Sequence, residues 1–353
     1  MLSAVFPVEN LRPAEQILMN ERLIHPLYKP VFLEKQVFFP LKDRPTSDLL
    51  PVIKRWGGRI EKVEDKFFPR KIKTRSLKEL EKIHGMAFPK SVSIVGDLLL
   101  INEIPEESYE KKQVLGEILR ENFSVRAVFL KVREVAGLER VAEWERIAGF
   151  GDTFTVHKEN GFYYALDVSK VFFNPRMGNE RARVIKVSKG NELVIDMFSG
   201  VGPFSIPLAA RCAQVFAIDI NPKAVEYLRL NLLINRISER KLVPILGDSR
   251  QEVPKLNVKA DRIIMNYPEK AVEFLDVAIS ALKSSGGYIH IYLFECGDNK
   301  KEVKKASKLF LARILSGYSK RFKITFIHVI KEVAPRKYML VADIFAIPRT
   351  NAL

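Results

Sequence analysis

The sequence predicts an α/β protein: a C-terminal Rossmann-like domain with a seven-stranded sheet, preceded by two smaller N-terminal α+β domains. Three observations carry this expectation. From about residue 161 onward, short apolar runs alternate with helical patterns, which implies a mostly parallel sheet covered on both faces. The apolar run Val194-Ile195-Asp196 leads into Met197-Phe198-Ser199-Gly200-Val201-Gly202-Pro203-Phe204, a strand that enters a glycine turn and then a helix. The last two strand candidates, 322–333 and 337–346, lie too close together for a helical crossover and are expected to pair antiparallel. That arrangement is typical of class I methyltransferases rather than dinucleotide dehydrogenases.

The elements follow in order. Residues 1–68 read as a small module with an amphipathic helix at 14–23, whose Ile17, Leu18 and Leu23 suit one face, and an apolar strand at 30–39. Residues 69–82 form a basic connector carrying Arg70, Lys71, Lys73, Arg75 and Lys78. Residues 83–160 read as a second α+β domain. Paired strands lie in 91–104 about a Gly96-Asp97 turn, a helix spans 111–122, and a strand spans 127–132. A hairpin joins 153–157 to 162–167 around Glu159-Asn160-Gly161. The catalytic domain is expected at 161–353. Its strands fall at 193–196, 214–219, 242–246, 262–266, 287–294, 322–333 and 337–346, with helices such as 223–235 and 270–282 between them.

The candidate site sits where strands end. Gly200 and Gly202 let backbone approach a ligand without an intervening Cβ. Asp219, at the end of the next strand, is placed to accept hydrogen bonds from a ribose diol. Ser205 replaces the third glycine of a dinucleotide fingerprint, and the turn carries no phosphate-binding lysine. A cofactor without phosphates, such as S-adenosyl-L-methionine, therefore fits better than NAD or ATP. Asn266-Tyr267-Pro268 closes a further strand, so Asn266 is expected in the same crevice, offering a donor and an acceptor to a heterocycle edge. Asp248, beside Ser249, suits an adenine amino group, or equally the N-cap of a short helix. Glu180 falls in the first turn of an expected helix, where a carboxylate is favoured electrostatically in any case. Arg176 and Arg181 flank it and suggest phosphate contacts.

Charge bounds the partner. Lys and Arg total 58 against 42 Asp and Glu, a net +16, and a strongly basic enzyme of this kind usually meets a polyanion, nucleic acid first. No apolar run is long enough to span a bilayer. The first twenty residues lack a signal-peptide pattern, and two cysteines cannot build a disulfide framework, so a cytoplasmic setting is expected. The five histidines lack metal-ligand spacing; His157 alone invites attention. No metal site is expected, and a Mg²⁺ requirement is not readable.

Together these residues resemble the archaeal and eukaryotic tRNA (guanine-37-N1)-methyltransferase family along essentially the whole chain. The resemblance rests on Ser93 to Leu98, Thr155 to Gly161, Phe173-Asn174-Pro175-Arg176, Glu180-Arg181, Asp196 to Phe204, Asp219-Ile220-Asn221-Pro222 and Ala334-Pro335-Arg336. It implies S-adenosylmethionine as methyl donor, tRNA as partner, and N1 of guanosine 37 as acceptor. It further implies Glu180 as general base, Arg140 as stabiliser of charge on O6, and Asn266 as holder of the guanine edge. Phe172, Arg181, Asp196, Phe198, Gly200, Val201, Gly202, Asp219, Ile220, Asp248, Ser249 and Asn266 are expected around the cofactor. Arg140, Asn174, Arg176, Asn266 and Pro268 are expected around the base. The N-terminal module is expected to contact the tRNA outer corner, with Lys62, Arg70, Lys71 and Arg75 as phosphate contacts. Several positions depart from the family pattern: Phe172 where tyrosine is common, Tyr267 inside N-x-P, Glu139 before Arg140, and Ala142 after it. A monomer suffices for this chemistry, with no protein partner and no membrane. The alternatives are a wyosine-pathway methyl or aminocarboxypropyl transferase acting at the same tRNA position, a catalytically silent RNA-binding protein, and a glutamine or adenine methyltransferase.

Overall fold

The computed structural model describes residues 1–64, 67–70, 73–136, 141–212, 214–319 and 321–347. Packing divides the chain into two units, Met1–Arg176 with Leu233–Arg236, and Met177–Leu232 with Ile237–Leu353.

The first unit opens with β1 (Leu2–Pro7), whose central residues are buried, and α1 (Leu11–Asn20). Helix α1 starts earlier than the expected 14–23. Leu11, Ala14 and Leu18 form its buried stripe, and Pro13 falls in the first turn, where its missing N–H does no harm. The expected strand at 30–39 is a hairpin, β2 (Val31–Leu33) and β3 (Gln36–Pro40). Its two-residue turn, Glu34 (φ 47°) and Lys35 (φ 60°), matches the twist of paired strands. Helix α2 (Leu49–Arg55) and β4 (Arg59–Lys62) complete an antiparallel sheet of order β2-β3-β1-β4. Helix α3 (Leu77–His84) begins inside the stretch expected as linker. A capping box between Ser76 and Glu79 starts it, and Gly85 (φ 61°) ends it.

A second sheet, of order β5-β6-β7-β8, contains β5 (Val92–Val95), β6 (Leu98–Ile101), β7 (Ala127–Ala136) and β8 (Val141–Gly149), with α4 (Lys112–Phe123) crossing between the parallel pair β6 and β7. Arg126, fully buried, pairs with Asp97 (2.9 Å) and donates to the carbonyls of Phe150, Asp152 and Phe154. The hairpin β9 (Phe154–Glu159) and β10 (Phe162–Asp167) turns at Asn160-Gly161, as the sequence suggests.

The second unit holds α5 (Gly178–Val187), β11 (Leu193–Asp196), α6 (Ser205–Arg211), β12 (Gln214–Asp219), α7 (Pro222–Asn235), β13 (Leu242–Leu246), α8 (Ser249–Lys255), β14 (Arg262–Met265), α9 (Leu275–Ala281), β15 (Gly287–Cys296), α10 (Lys300–Leu315), β16 (Phe322–Ala334) and β17 (Lys337–Ala346). Helix α7 ends in the residues that group with the first unit. The sheet order is β13-β12-β11-β14-β15-β17-β16. The first five strands are parallel; β17 runs antiparallel between β15 and β16. The seven strands expected from the sequence are all present. The helix expected over 270–282 is shorter, because a 3₁₀ turn at Ala271–Phe274 precedes α9. Strand residues such as Ile195, Ile218, Ile263, Ile289, Ile291 and Ile344 line one face of the sheet and are buried in one core cluster, each worth roughly 1.5–3 kcal/mol relative to exposure.

Candidate active site

The glycine turn after β11 is built from backbone outward. Gly200 (φ 53°) and Gly202 (φ 92°) take left-handed conformations that side chains disfavour. At Gly202 an added Cβ would clash with Leu228 Cδ1, so the turn also needs a bare backbone to pack. Val201 is buried and Phe198 half-buried. Asp196 is fully buried and accepts from Ser205 Oγ (2.6 Å) and the Phe198 amide (3.4 Å). Burial pushes its carboxyl up to about 7, with the charge of Asp219 acting in the same direction.

Neighbouring strand ends add polar groups. Asp219 closes β12, its carboxylate accepting from the amides of Gly200 (2.7 Å) and Asn221 (2.9 Å). The first bond ties the acid to the glycine turn, and the second closes its own turn ahead of α7. Ile220 beside it is exposed. Asp248 caps α8 by accepting from the Arg250 amide (2.8 Å). Ser249 is buried and donates to the Met197 carbonyl, joining the β13 and β11 turns. Asn266 follows β14 and is half-buried, with Pro268 buried behind it. Tyr267 packs against Phe198 at 5.1 Å between ring centroids, and Phe274 stacks edge-on to Phe198. The structure therefore brings Gly200, Val201, Gly202, Asp219, Asp248 and Asn266 to the carboxyl ends of four adjacent parallel strands, where open α/β sheets bind ligands.

This donor set fits a nucleoside borne on a sulfonium. Acceptors close the strand ends, while the cations in these turns, Lys223 and Arg250, pair with Glu226 and Glu273. Among the described residues, no group of three or more His, Cys, Asp or Glu could hold a metal ion.

The expected base, Glu180, sits in the first turn of α5 and is 7% exposed. Its carboxylate is gripped by Arg183, Nε to Oε2 at 2.9 Å and Nη2 to Oε1 at 2.8 Å, and Oε1 also accepts from the Tyr292 hydroxyl at 2.9 Å. Arg183 is shared with Asp343 on β17 (2.7 and 3.0 Å) and lies over the Phe326 ring at 4.3 Å. Asp343 binds His290 Nδ1 (2.6 Å); His290 Nε2 meets Arg262, and Arg262 forms a bidentate pair with Glu192 (2.7 and 2.9 Å). Sequence reading missed this chain of residues. Its one local signal was the polar and charged positions inside otherwise apolar strands: Arg262 in β14, His290 and Tyr292 two apart on β15, and Asp343 in β17.

Arg181 is buried, with its guanidinium 6.0 Å from the Phe204 ring centroid. Phe172, Asn174 and Arg176 belong to the first unit. There Phe172 is exposed, Asn174 accepts from the Arg176 amide (3.1 Å), and Arg176 donates to the Val92 carbonyl (2.9 Å). His157 accepts from the Gly96 amide (3.1 Å) and stacks edge-on against Phe173, which gives it a structural use. Arg140 lies outside the described residues.

A seven-stranded sheet with β17 inserted antiparallel, and a glycine turn answered by strand-terminal acids, defines a class I S-adenosylmethionine-dependent methyltransferase. Comparison with known proteins narrows this. The family profile described as "TRM5/TYW2 methyltransferase domain" matches residues 155–316. The tRNA (guanine(37)-N(1))-methyltransferase Trm5b of Methanocaldococcus jannaschii is 35% identical over 333 residues, covering 93% of this chain and 94% of that protein. Among solved structures, Trm5b from Pyrococcus abyssi superposes with a TM-score of 0.68 at 32% identity, covering 98% of this chain and 99% of that one. A complex of aTrm5 with tRNALeu superposes with a TM-score of 0.66 at 33% identity, covering 98% of this chain and 100% of that one. The chain belongs to the tRNA (guanine-37-N1)-methyltransferase family shared by archaea and eukaryotes.

Proposed function

We propose that this chain transfers a methyl group from S-adenosylmethionine to N1 of guanosine 37 in tRNA. The observation that carries this reading is the full-length kinship to a relative of that name, joined to a strand-end crevice whose acceptors suit the cofactor. The cofactor supplies an electrophilic methyl on a sulfonium. Guanine N1 holds a proton at neutral pH, so a base must take it as the new bond forms. Glu180 is our candidate for that base, because its carboxylate is held in one geometry by three hydrogen bonds and a base must be placed before it is useful. Asn266 holds the guanine edge. Arg140 stabilises the charge that moves to O6. Asp219 grips the ribose diol and Asp248 the adenine amino group, while Asp196 and Ser249 brace the turns from inside. Phe172, Arg181, Phe198 and Ile220 are our candidates for contacts with the cofactor, and Asn174, Arg176 and Pro268 for contacts with the base. Guanosine 37 lies in a loop, so extrusion of the base into a pocket gives access to N1.

The separate sheets β2-β3-β1-β4 and β5-β6-β7-β8 support reading residues 1–68 as a tRNA-recognition module distinct from a middle domain, with 69–82 as linker. The proposed boundary between middle domain 83–160 and catalytic domain 161–353 falls inside the β9–β10 hairpin, whereas packing breaks after Arg176. A monomer acting in the cytoplasm completes the proposal. No helix among the described residues is long and apolar enough to cross a membrane. The wyosine-pathway reading is weaker, since those relatives are more distant.

The test is nucleoside mass spectrometry after incubation of purified protein and cofactor with tRNA transcripts carrying G37 or A37. N1-methylguanosine should appear in the first alone. Its absence from active G37 tRNA would overturn the reading.

A further inference from the structure

The polar chain around Glu180 has a charge count that suits proton uptake. It contains three carboxylates (Glu180, Asp343, Glu192), two guanidiniums (Arg183, Arg262) and one imidazole (His290). Burial lowers the His290 pKa, so its ring is neutral. With Arg262 donating to Nε2, the imidazole proton sits on Nδ1 and is donated to Asp343. Against the upward push of burial, the hydrogen bonds from His290 and Arg183 hold the Asp343 carboxyl down at about 2. Against the opposing effect of burial, the bonds to Glu180 and Asp343 raise the pKa of Arg183 above its ordinary value. Burial, then the charge of Glu180, raises Tyr292 well above its ordinary value, so its hydroxyl stays a donor. The cluster thus carries one negative charge in excess.

The oxygens of Glu180 are unequal. Oε1 accepts from both Tyr292 and Arg183, which fills its two lone-pair directions. Oε2 accepts only from Arg183 Nε among the described residues. We propose that Asp343, acting through Arg183, and Tyr292, acting directly, are positioning residues that present Glu180 Oε2 to guanine N1 and keep the cluster one charge short of neutral. This rests on the reading of Glu180 as the base. In the step, the N1–H bond breaks and its proton goes to Oε2. The electron pair left on N1 forms the N–CH₃ bond, and the methyl–sulfur pair leaves with sulfur.

The groups facing Glu180 come from three elements: Arg183 from its own helix, Tyr292 from β15, and Asp343 from β17 through Arg183. Two variants should therefore move the reaction in opposite directions. D343N removes a negative charge and leaves Arg183 to Glu180 alone. The acid limb of kcat against pH should move down by about one pH unit, and the plateau should fall about tenfold. Y292F removes one donor from Oε1 and should move the acid limb upward. Cofactor affinity by calorimetry should be unchanged in both. The ¹⁵N spectrum of His290 should show a neutral ring protonated at Nδ1 in the wild type at neutral and mildly alkaline pH. E180Q is measured alongside. If E180Q keeps near-wild-type rates, the base assignment itself fails. If E180Q is inactive while both other profiles match the wild type, or shift the same way, the positioning proposal alone fails. Y292F removes one oxygen and keeps the ring beside Phe204, so it carries the test even if D343N folds poorly.

Discussion

The strand-end turns and the polar chain from Glu192 to Tyr292 use one sheet in two ways. At the turns, polar groups are half-exposed and held by backbone amides of their own or the neighbouring turn, as with Asp219 on Asn221 and Gly200. In the chain, charged groups are buried and hold one another across β14, β15, β17 and α5. The first arrangement leaves acceptors at a surface where a ligand arrives. The second isolates a carboxylate from water and fixes its orientation. A binding crevice can be made from local motifs, whereas a base needs partners that only the folded sheet assembles.

The comparison breaks first at Glu180. E180Q keeps the shape and removes the proton acceptor, so single-turnover methyl transfer should fall by about 10²- to 10⁴-fold with little change in cofactor affinity. Equal losses in both would show that Glu180 serves binding. The chain's structural role is tested at its far end. Glu192→Ala leaves the buried guanidinium of Arg262 (1% exposed) without its carboxylate, and urea unfolding should show a loss of about 3–5 kcal/mol. A loss below 1 kcal/mol would mean that water reaches Arg262. At the turn, Gly202→Ala forces a side chain into φ 92° against Leu228, for about 1–3 kcal/mol. Calorimetry should find it in weakened cofactor binding, without a matching change in the chemical step.

How much of this was legible in the sequence follows the same division. Gly200, Gly202, Asp219 and Asn266 announce themselves because strand, turn and acid are close in the chain and their order is diagnostic. The seven strands follow from apolar runs and spacing. Helix α1 was misplaced by three residues because its buried stripe begins at Leu11, ahead of Pro13, which reads as a breaker. The β2–β3 turn was missed because Glu34-Lys35 lacks the glycine or asparagine that usually marks positive φ. Arg183, His290, Tyr292 and Asp343 could not be joined from sequence: Asp343 is 160 residues from Arg183, and only the insertion of β17 beside β15 brings its carboxylate to the imidazole.

A pH-dependent effect concerns Asp196. Burial raises its folded carboxyl to about 7 from an ordinary 3.8, so the folded protein binds the proton more tightly than the unfolded chain. Its contribution is fully present below about pH 3.8 and is lost as pH rises through about 7. Stability should therefore fall across that window, by at most about 1.4 kcal/mol per pH unit for one proton. Asp196→Asn should flatten this slope in urea melts at successive pH values; an unchanged slope would show that the carboxyl is ionised in the fold.

The most direct measurement is the distance from the Glu180 carboxylate to guanine N1 in a crystal of the protein with G37 tRNA and a demethylated cofactor product. The account predicts Oε2 within about 2.6–3.2 Å of N1, with Oε1 still held by Tyr292 and Arg183. A guanine whose N1 faces another group, with Glu180 enclosed by Arg183 and out of reach, would contradict it.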